Sequence, residues 1–372
     1  MILPESRTKE WLNELVSKYK FRDQALIEKT IRAFSLLEAL ARSGLDFVFK
    51  GGSCLMLHFN TEKRLSIDID IICPPGTRLE DYWDKFTGEY GFEKPELVNR
   101  QSMTDIPKVH AKYNYTVSYT DNRPDKILLD VLLEDHPYQN IIEKPIKSPF
   151  LKTDGNDILV RIPSMTDILG DKLTAYAPNT TGIPYFKKNK KGEPTDCSLE
   201  IIKQMFDVAC LIDNLDNFEN VLDVYKKNVA VECSYRELPE TTYKDVLKDT
   251  IRTSLCLAFR GKYDSDKYQK LQEGVQKLKS FIYDKASYGL EKAIADSAKI
   301  AHLCSCFLQG HSNFERYDQS KVDLLRNLNF DRSVDTETIK WGKLNKLKIS
   351  NTEAFYHWHK VFISLKSGAL EL

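Results

Sequence analysis

Hydrophobic positions near the start of the chain return at helical spacing. In "DQALIEKTIRAFSLLEALARSG", Leu26, Ile27, Ile31, Phe34, Leu37 and Leu40 recur every third or fourth residue, which marks one buried face of an amphipathic helix. With "KEWLNELVSKY" before it, residues 8–43 read as helical. Gly44 after Ser43 reads as the C-terminal stop. The pattern then shortens to period two. "DFVFK" is a β-rich run, and Gly51–Gly52–Ser53 turns it into a short helix, "CLMLHF". "RLSIDIDIIC" (64–73) follows as a strand and "DYWDKFTGEYG" (81–91) as a helix. "VHAKYNYTVSYT" (109–120) and "KILLDVLLED" (126–135) are two more strands, joined by the turn "DNRPD", and "ILVRI" (158–162) closes the set.

After about residue 163 the strand signals fade. Helical spacing takes over at 165–177, 198–213, 217–228, 243–258, 265–284, 287–309 and 352–366. "APNTTGIPYFKKNKKGEPTD", between the first two, is rich in Pro, Gly, Asn and Lys and reads as a loop. The expected fold is α+β: a mixed β-sheet with flanking helices over 1–160, then a helical domain over 161–372.

Composition narrows the function classes. A chain of 372 residues with 42% hydrophobic and 29% charged residues is an ordinary globular protein of about two domains. Lys+Arg and Asp+Glu are equal at 54 each. That balance speaks against a long duplex-binding groove, though a local basic patch stays compatible with it. No stretch reaches the roughly 20 apolar residues of a membrane span, and the N-terminus lacks the order of a secretion signal. Eight scattered cysteines form no short-spaced framework, so reduced thiols in a cytoplasm are expected. His302, Cys304, Cys306 and His311 cluster in "AHLCSCFLQGH", but their spacing fits no standard zinc pattern and the segment reads as a buried helix.

The chemistry concentrates at 47–73. Strand alternation sends Leu65, Ile67, Ile69 and Ile71 one way and Arg64, Ser66, Asp68 and Asp70 the other. Two carboxylates about 6–7 Å apart on one face repel unless a cation lies between them. Mg²⁺ suits such oxygens. Upstream, a strand, Gly51–Gly52–Ser53 and a helix place backbone N–H groups at a helix N-terminus, which suits phosphate. Asp130 interrupts an apolar run with Leu128, Leu129, Val131 and Leu132 around it. A buried aspartate there needs a metal, a hydroxyl or a polar partner. Taken alone, alternation on a half-exposed strand would also explain Asp68 and Asp70, and a tight turn would explain the glycines.

These residues resemble the nucleotidyltransferase superfamily. "FKGGSCL" and "RLSIDIDI" are similar to the blocks of the AbiEii/AbiGii toxin family, as are "DILGDKLTAY" with Lys172 and "KQMFDVACLI" with Asp207. The resemblance spans about 25–215, and 216–372 is an extended helical tail without a specific likeness. The stretch before Asp207, "EIIKQMFD", lacks the Arg-Asp pair that family members tend to show. On a helical wheel Lys172 falls on the apolar face among Ile168, Leu169 and Leu173. Asp207 falls opposite Ile201, Ile202, Met205 and Phe206, with Lys203 as a solvated partner.

The resemblance implies an NTP-dependent, pyrophosphate-releasing transferase with a two-metal Mg²⁺ site. Asp68, Asp70 and Asp130 would hold metal. Lys50, Gly51, Gly52, Ser53, Arg64, Ser66 and Lys172 would bind the nucleotide, and Asp207 would complete the catalytic set. Residues 161–215 would complete the cleft. The implied acceptor is an RNA end, the tRNA 3′ end foremost, and the implied partner an antitoxin protein. The lysine run "FKKNKK" (186–191) suits backbone phosphates, or simply a solvated loop. Two other readings stay open: transfer to a small molecule such as an antibiotic or to a protein side chain, and a non-catalytic nucleotide-binding regulator.

Overall fold

The structure is a computed structural model and describes residues 1–19, 23–60, 63–97, 108–120, 123–189, 191–283 and 288–372. Parts of the expected turn at 121–125, Lys190 of the lysine run, and residues 284 and 287 at the expected helix ends lie outside the described residues. The chain divides into two compact units. One takes Met1–Ser164 and a short return segment from Ser280; the other takes Met165–Lys279 and the C-terminal stretch to Leu372.

The first unit begins with α1 (Lys9–Tyr19) and α2 (Gln24–Arg42). Asp23 caps α2 by accepting from the Leu26 amide at 3.2 Å. All six residues of the apolar stripe are buried. Two buried charges also fix α2: the Arg32 guanidinium donates to the carbonyls of Tyr90 and Thr116, and Glu28 accepts from the Ser118 amide. Next come β1 (Val48–Lys50), α3 (Gly51–His58), β2 (Ile69–Cys73), β3 (Glu96–Leu97), β4 (Lys108–Thr116) and β5 (Pro124–Leu133). Their five-stranded sheet runs β1-β2-β5-β4-β3. It is mixed, as the α+β expectation requires: β2 and β5 are parallel, the other neighbours antiparallel. Ile69, Ile71, Ile127, Leu129 and Val131 form its buried face. A separate ribbon pairs β6 (Ile141–Pro145) with β7 (Leu159–Pro163).

Three local expectations need correction. The strand at 64–73 is shorter: only Ile69–Cys73 pairs within the sheet, while Arg64 makes one bridge to Ile282. The helix at 81–91 is instead two 3-10 turns, Leu79–Asp81 and Thr87–Tyr90; Trp83 and Tyr90 bury without a continuous apolar stripe to propagate a helix. The loop at 177–196 contains a hairpin, described next.

The second unit starts with α4 (Met165–Ala175). The hairpin β8 (Phe186–Lys188) and β9 (Pro194–Asp196) follows, then α5 (Ser198–Asn214). Further helices are α6 (Val221–Tyr235), α7 (Tyr243–Ala258), α8 (Ser265–Leu278), α9 (Leu290–Leu308), α10 (Leu347–Ser350) and α11 (Thr352–Lys366). α7 opens on a capping box between Thr242 and Asp245. The turn after α4 is tied to α7 by Asp249, which accepts from the Asn179 amide at 2.8 Å, its Nδ2 at 2.6 Å and the Thr180 hydroxyl at 2.9 Å. Near the C-terminus Trp341, Phe355, Trp358 and Phe362 pack into one buried aromatic cluster.

Candidate active site

Sheet register lines up four polar residues. Lys50 on β1 stands opposite Asp70 on β2, Asp70 opposite Asp130 on β5, and Asp130 opposite His110 on β4. Register partners point their side chains to the same face. Asp70 and Asp130 therefore share one face, as the sequence reading requires. Adjacent strands lie about 4.8 Å apart, so two ionised carboxylates there repel by about 3 kcal/mol at an effective dielectric near 20. The row places Lys50 on one flank, and on the other His110, whose Nδ1 lies 2.6 Å from Asp130 Oδ1. His110 was not anticipated. Its only sequence signal is an even-numbered place on a strand antiparallel to β5, and that shows only once register is known.

The glycine turn meets this row from one end. Lys50 is extended and Gly51 has φ +78°, a conformation that L side chains avoid. A Cβ on Gly51 would lie 2.1 Å from Asp70 Oδ2 and 2.9 Å from Asp70 Cγ. The backbone and the Asp70 carboxylate are in contact only because residue 51 has no side chain. Gly52 does the same for another pair: its Cβ would lie 2.6 Å from Arg64 Nη2 and 3.0 Å from Ser66 Oγ. Arg64 and Ser66 thus gather at the start of α3.

Ser53 is fully buried, and its hydroxyl donates to the carbonyl of Asp68. The hydroxyl expected to face a triphosphate instead holds the chain at Asp68. Asp68 itself is exposed and precedes β2. Behind the other end of α3, His58 Nε2 donates to the Pro163 carbonyl at 3.0 Å, and burial lowers that imidazole to about 4.

Among the described residues no three His, Cys, Asp or Glu side chains form a ready-made metal cluster. Asp70 and Asp130 nonetheless fit a hard divalent ion. Mg²⁺ usually binds through one or two carboxylates plus substrate phosphates, keeping several waters, and does not need an all-protein cage.

In the second unit, Lys172 and Asp207 come together. Lys172 Nζ lies 3.1 Å from Asp207 Oδ2 and donates to Gln204 Oε1 at 3.0 Å, with both charged side chains buried. This corrects the wheel, which set Asp207 on a solvated side with Lys203. α5 is buried on more than its apolar stripe, because α4, α8 and α9 all pack on it. His302 and His357 also meet inside this unit, with Nδ1 atoms 3.1 Å apart, and Cys306 Sγ donates to the Asn313 carbonyl.

A mixed sheet that sets two aspartates side by side, with a glycine turn closed onto one of them, is the arrangement of a nucleotidyltransferase. The comparison with known families agrees. The model for the nucleotidyl transferase AbiEii toxin, a type IV toxin–antitoxin system, matches residues 35–275. The chain belongs to that family. The match runs past the motif-bearing stretch that ends near 215, so α6, α7 and most of α8 belong to the family's body. A search of curated proteins finds no match. Membership in a toxin–antitoxin family implies an antitoxin partner, and nucleotidyl transferases generally use a nucleoside triphosphate and a divalent metal. No helix among the described residues is long and apolar enough to cross a membrane.

Proposed function

We propose that this toxin moves a nucleoside monophosphate from an NTP to the hydroxyl at an RNA 3′ end, with tRNA as the acceptor, and releases pyrophosphate. The observation that supports this best is the in-register pair Asp70–Asp130 with Gly51 pressed against Asp70. The amides at the start of α3 donate to the triphosphate, as helix N-termini do to anions. Arg64 and Ser66, beside Gly52, add cationic and hydroxyl contacts. Lys50 offsets negative charge on the row, which a triphosphate increases. Ser53 acts through Asp68 by fixing its backbone. Asp130, steadied by His110, receives the hydrogen bond of the attacking hydroxyl and orients it. Mg²⁺ held by Asp70 and Asp130, with Asp68 joining them, would draw charge from the phosphates and acidify that hydroxyl. Lys172 and Asp207 stand where the resemblance sets the family's motif lysine and aspartate, and we assign both a role in transfer.

The test incubates the pure protein with each α-labelled NTP, Mg²⁺ and total tRNA. Label on RNA, abolished by Asp70→Asn and by chelation, is the expected result. Label on the protein itself or on an added small molecule would replace the acceptor. NTP binding with no transfer to anything would replace the enzyme with a nucleotide-binding regulator.

A further inference from the structure

The β8–β9 ribbon presents an exposed ring among cations. Phe186 is 50% exposed, and Lys187, Lys188 and Lys191 around it are exposed as well. Alternation puts Phe186 and Lys188 on one face of β8 and Lys187 on the other. Lys270 from α8 sits over the Phe186 ring, 5.6 Å from its centroid. An exposed aromatic costs apolar hydration, and lysines crowded on a short ribbon repel one another.

The ribbon is also rigidly built. Asn189 closes its turn by accepting from the Lys191 amide at 2.8 Å and the Glu193 amide at 3.0 Å. At its base Asp196 accepts from Lys277 and from the Ser198 hydroxyl. There Gly274 passes the Ser198 carbonyl so closely that a Cβ would lie 2.3 Å from it. The backbone that carries the cations and the ring is therefore pinned at its turn and its base before any ligand arrives, which lowers the entropy lost on binding. The acidic residues of the ribbon are partly spent: Asp196 is already engaged with Lys277, and Glu193 accepts from Asn189 Nδ2. A chain with no net charge thus carries a local basic surplus.

We infer that this ribbon grips single-stranded RNA, with Phe186 stacking on a base and Lys187, Lys188 and Lys191 holding phosphates. An aromatic platform beside cations that track the backbone is the usual solution for single strands, and it tolerates any sequence. The ribbon joins α4 to α5, the helices that carry Lys172 and Asp207. Asp207 lies nine residues along α5 from Ser198, about 14 Å of helix. The inference rests on RNA being the acceptor and names the element that holds it.

The test measures binding of labelled total tRNA to the full-length chain over a range of salt, with transfer and NTP binding measured separately. Phe186→Ala should weaken tRNA binding about fivefold or more, and Phe186→Tyr should retain it. The double variant Lys187→Gln/Lys188→Gln should lower affinity and flatten the log–log salt slope by about 1.5. NTP affinity should not change in any of them. If the wild type labels RNA and these variants bind tRNA as it does, with the same slope, the ribbon has no such role and the function stands. If the wild type labels only another acceptor, the RNA reading fails and the ribbon inference goes with it. Loss of binding to an acidic protein with tRNA binding intact would overturn the inference in favour of a protein-docking surface.

Discussion

Gly51→Ala is the sharpest probe of the candidate site, because two separable costs fall on one methyl group. The first is backbone: Gly51 has φ +78°, where an alanine loses about 1–2 kcal/mol. The second is contact. The new Cβ would sit 2.1 Å from Asp70 Oδ2 and 3.1 Å from Asp70 Cβ. The carboxylate can rotate away, but its Cβ is fixed to β2, which is hydrogen-bonded on both sides. Relief therefore comes from turning the Asp70 carboxylate out of the row it shares with Asp130. A displacement of about 1 Å in a reacting group costs about 100-fold in rate, and we expect transfer to fall at least that far. Stability should fall by about 2–3 kcal/mol in total, lowering the melting temperature by about 5 °C.

Two comparisons separate these terms. Gly52→Ala meets the far end of the Arg64 side chain and carries no positive φ, so it should cost less stability. In an Asp70→Ala background the atoms at 2.1 and 2.9 Å are gone. There Gly51→Ala should show the backbone cost with only the 3.1 Å contact to the residue-70 Cβ added, and the double-mutant cycle should be non-additive. The assays are NMP transfer from labelled NTP and thermal melting. Wild-type transfer by Gly51→Ala, or strict additivity with Asp70→Ala, would show that Asp70 does not lie against the glycine turn.

His110→Ala removes the partner at 2.6 Å from Asp130 and should lower kcat about tenfold or more while leaving the KM for NTP near its original value; an equal rise in KM would move His110 to nucleotide binding. Asp249→Ala strands the Asn179 amide and the Thr180 hydroxyl and should cost about 2–4 kcal/mol by chemical denaturation; a loss under 1 kcal/mol would show that water replaces the carboxylate. Lys172→Met removes the ammonium 3.1 Å from the buried Asp207 carboxylate and should cost about 3–5 kcal/mol, whereas Lys172→Met/Asp207→Leu should regain most of that with transfer still absent; recovery of transfer would remove the pair from the machinery. Burial holds the His302 imidazole down at about 3 and that of His357 well below its ordinary value. The unfolded chain binds protons at about pH 6.5 where the folded one does not, so this contribution is full above that pH and is lost as pH falls. His357→Asn should flatten the acid limb of the stability curve, and an unchanged limb would show that these imidazoles titrate normally.

The site was legible where one residue type carried the whole signal and illegible where pairing did. Asp68, Asp70 and the glycines stood out because aspartate is rare within an apolar run and glycine pairs are rare before a helix. The α2 stripe was legible for a similar reason: six residues repeat one period. The shorter β2 was not, since period-two alternation continues through Arg64–Asp68 whether or not a neighbouring strand is there to bond it. The β8–β9 ribbon was hidden by its composition, because Lys, Asn, Gly and Pro read as loop while Asn189 supplies the turn bonds that make a ribbon of them. Asp207 was misplaced because a wheel knows one helix, whereas burial depends on how many neighbours surround it.

His110 shows the limit most directly. It lies on β4, twenty residues before Asp130 on β5, and nothing local ties one to the other. The antiparallel register does so, and the parallel register of β2 against β5 sets Asp70 beside Asp130 in the same way. Slipping β5 by one residue against both neighbours would send Asp130 to the buried face and turn Leu129 and Val131 out of it, at the cost of a carboxylate placed in the core. The apolar residues on either side of Asp130 therefore fix the site as firmly as the aspartate does. A polar disturbance there should act through register: Leu129→Asn, which makes the two faces of β5 alike, should lower transfer together with the Asp130–His110 contact. The readout is the His110 imidazole resonance, which should move in Leu129→Asn as it does in Asp130→Asn. If transfer falls while that resonance keeps its wild-type position, the alternation of β5 does not set the site.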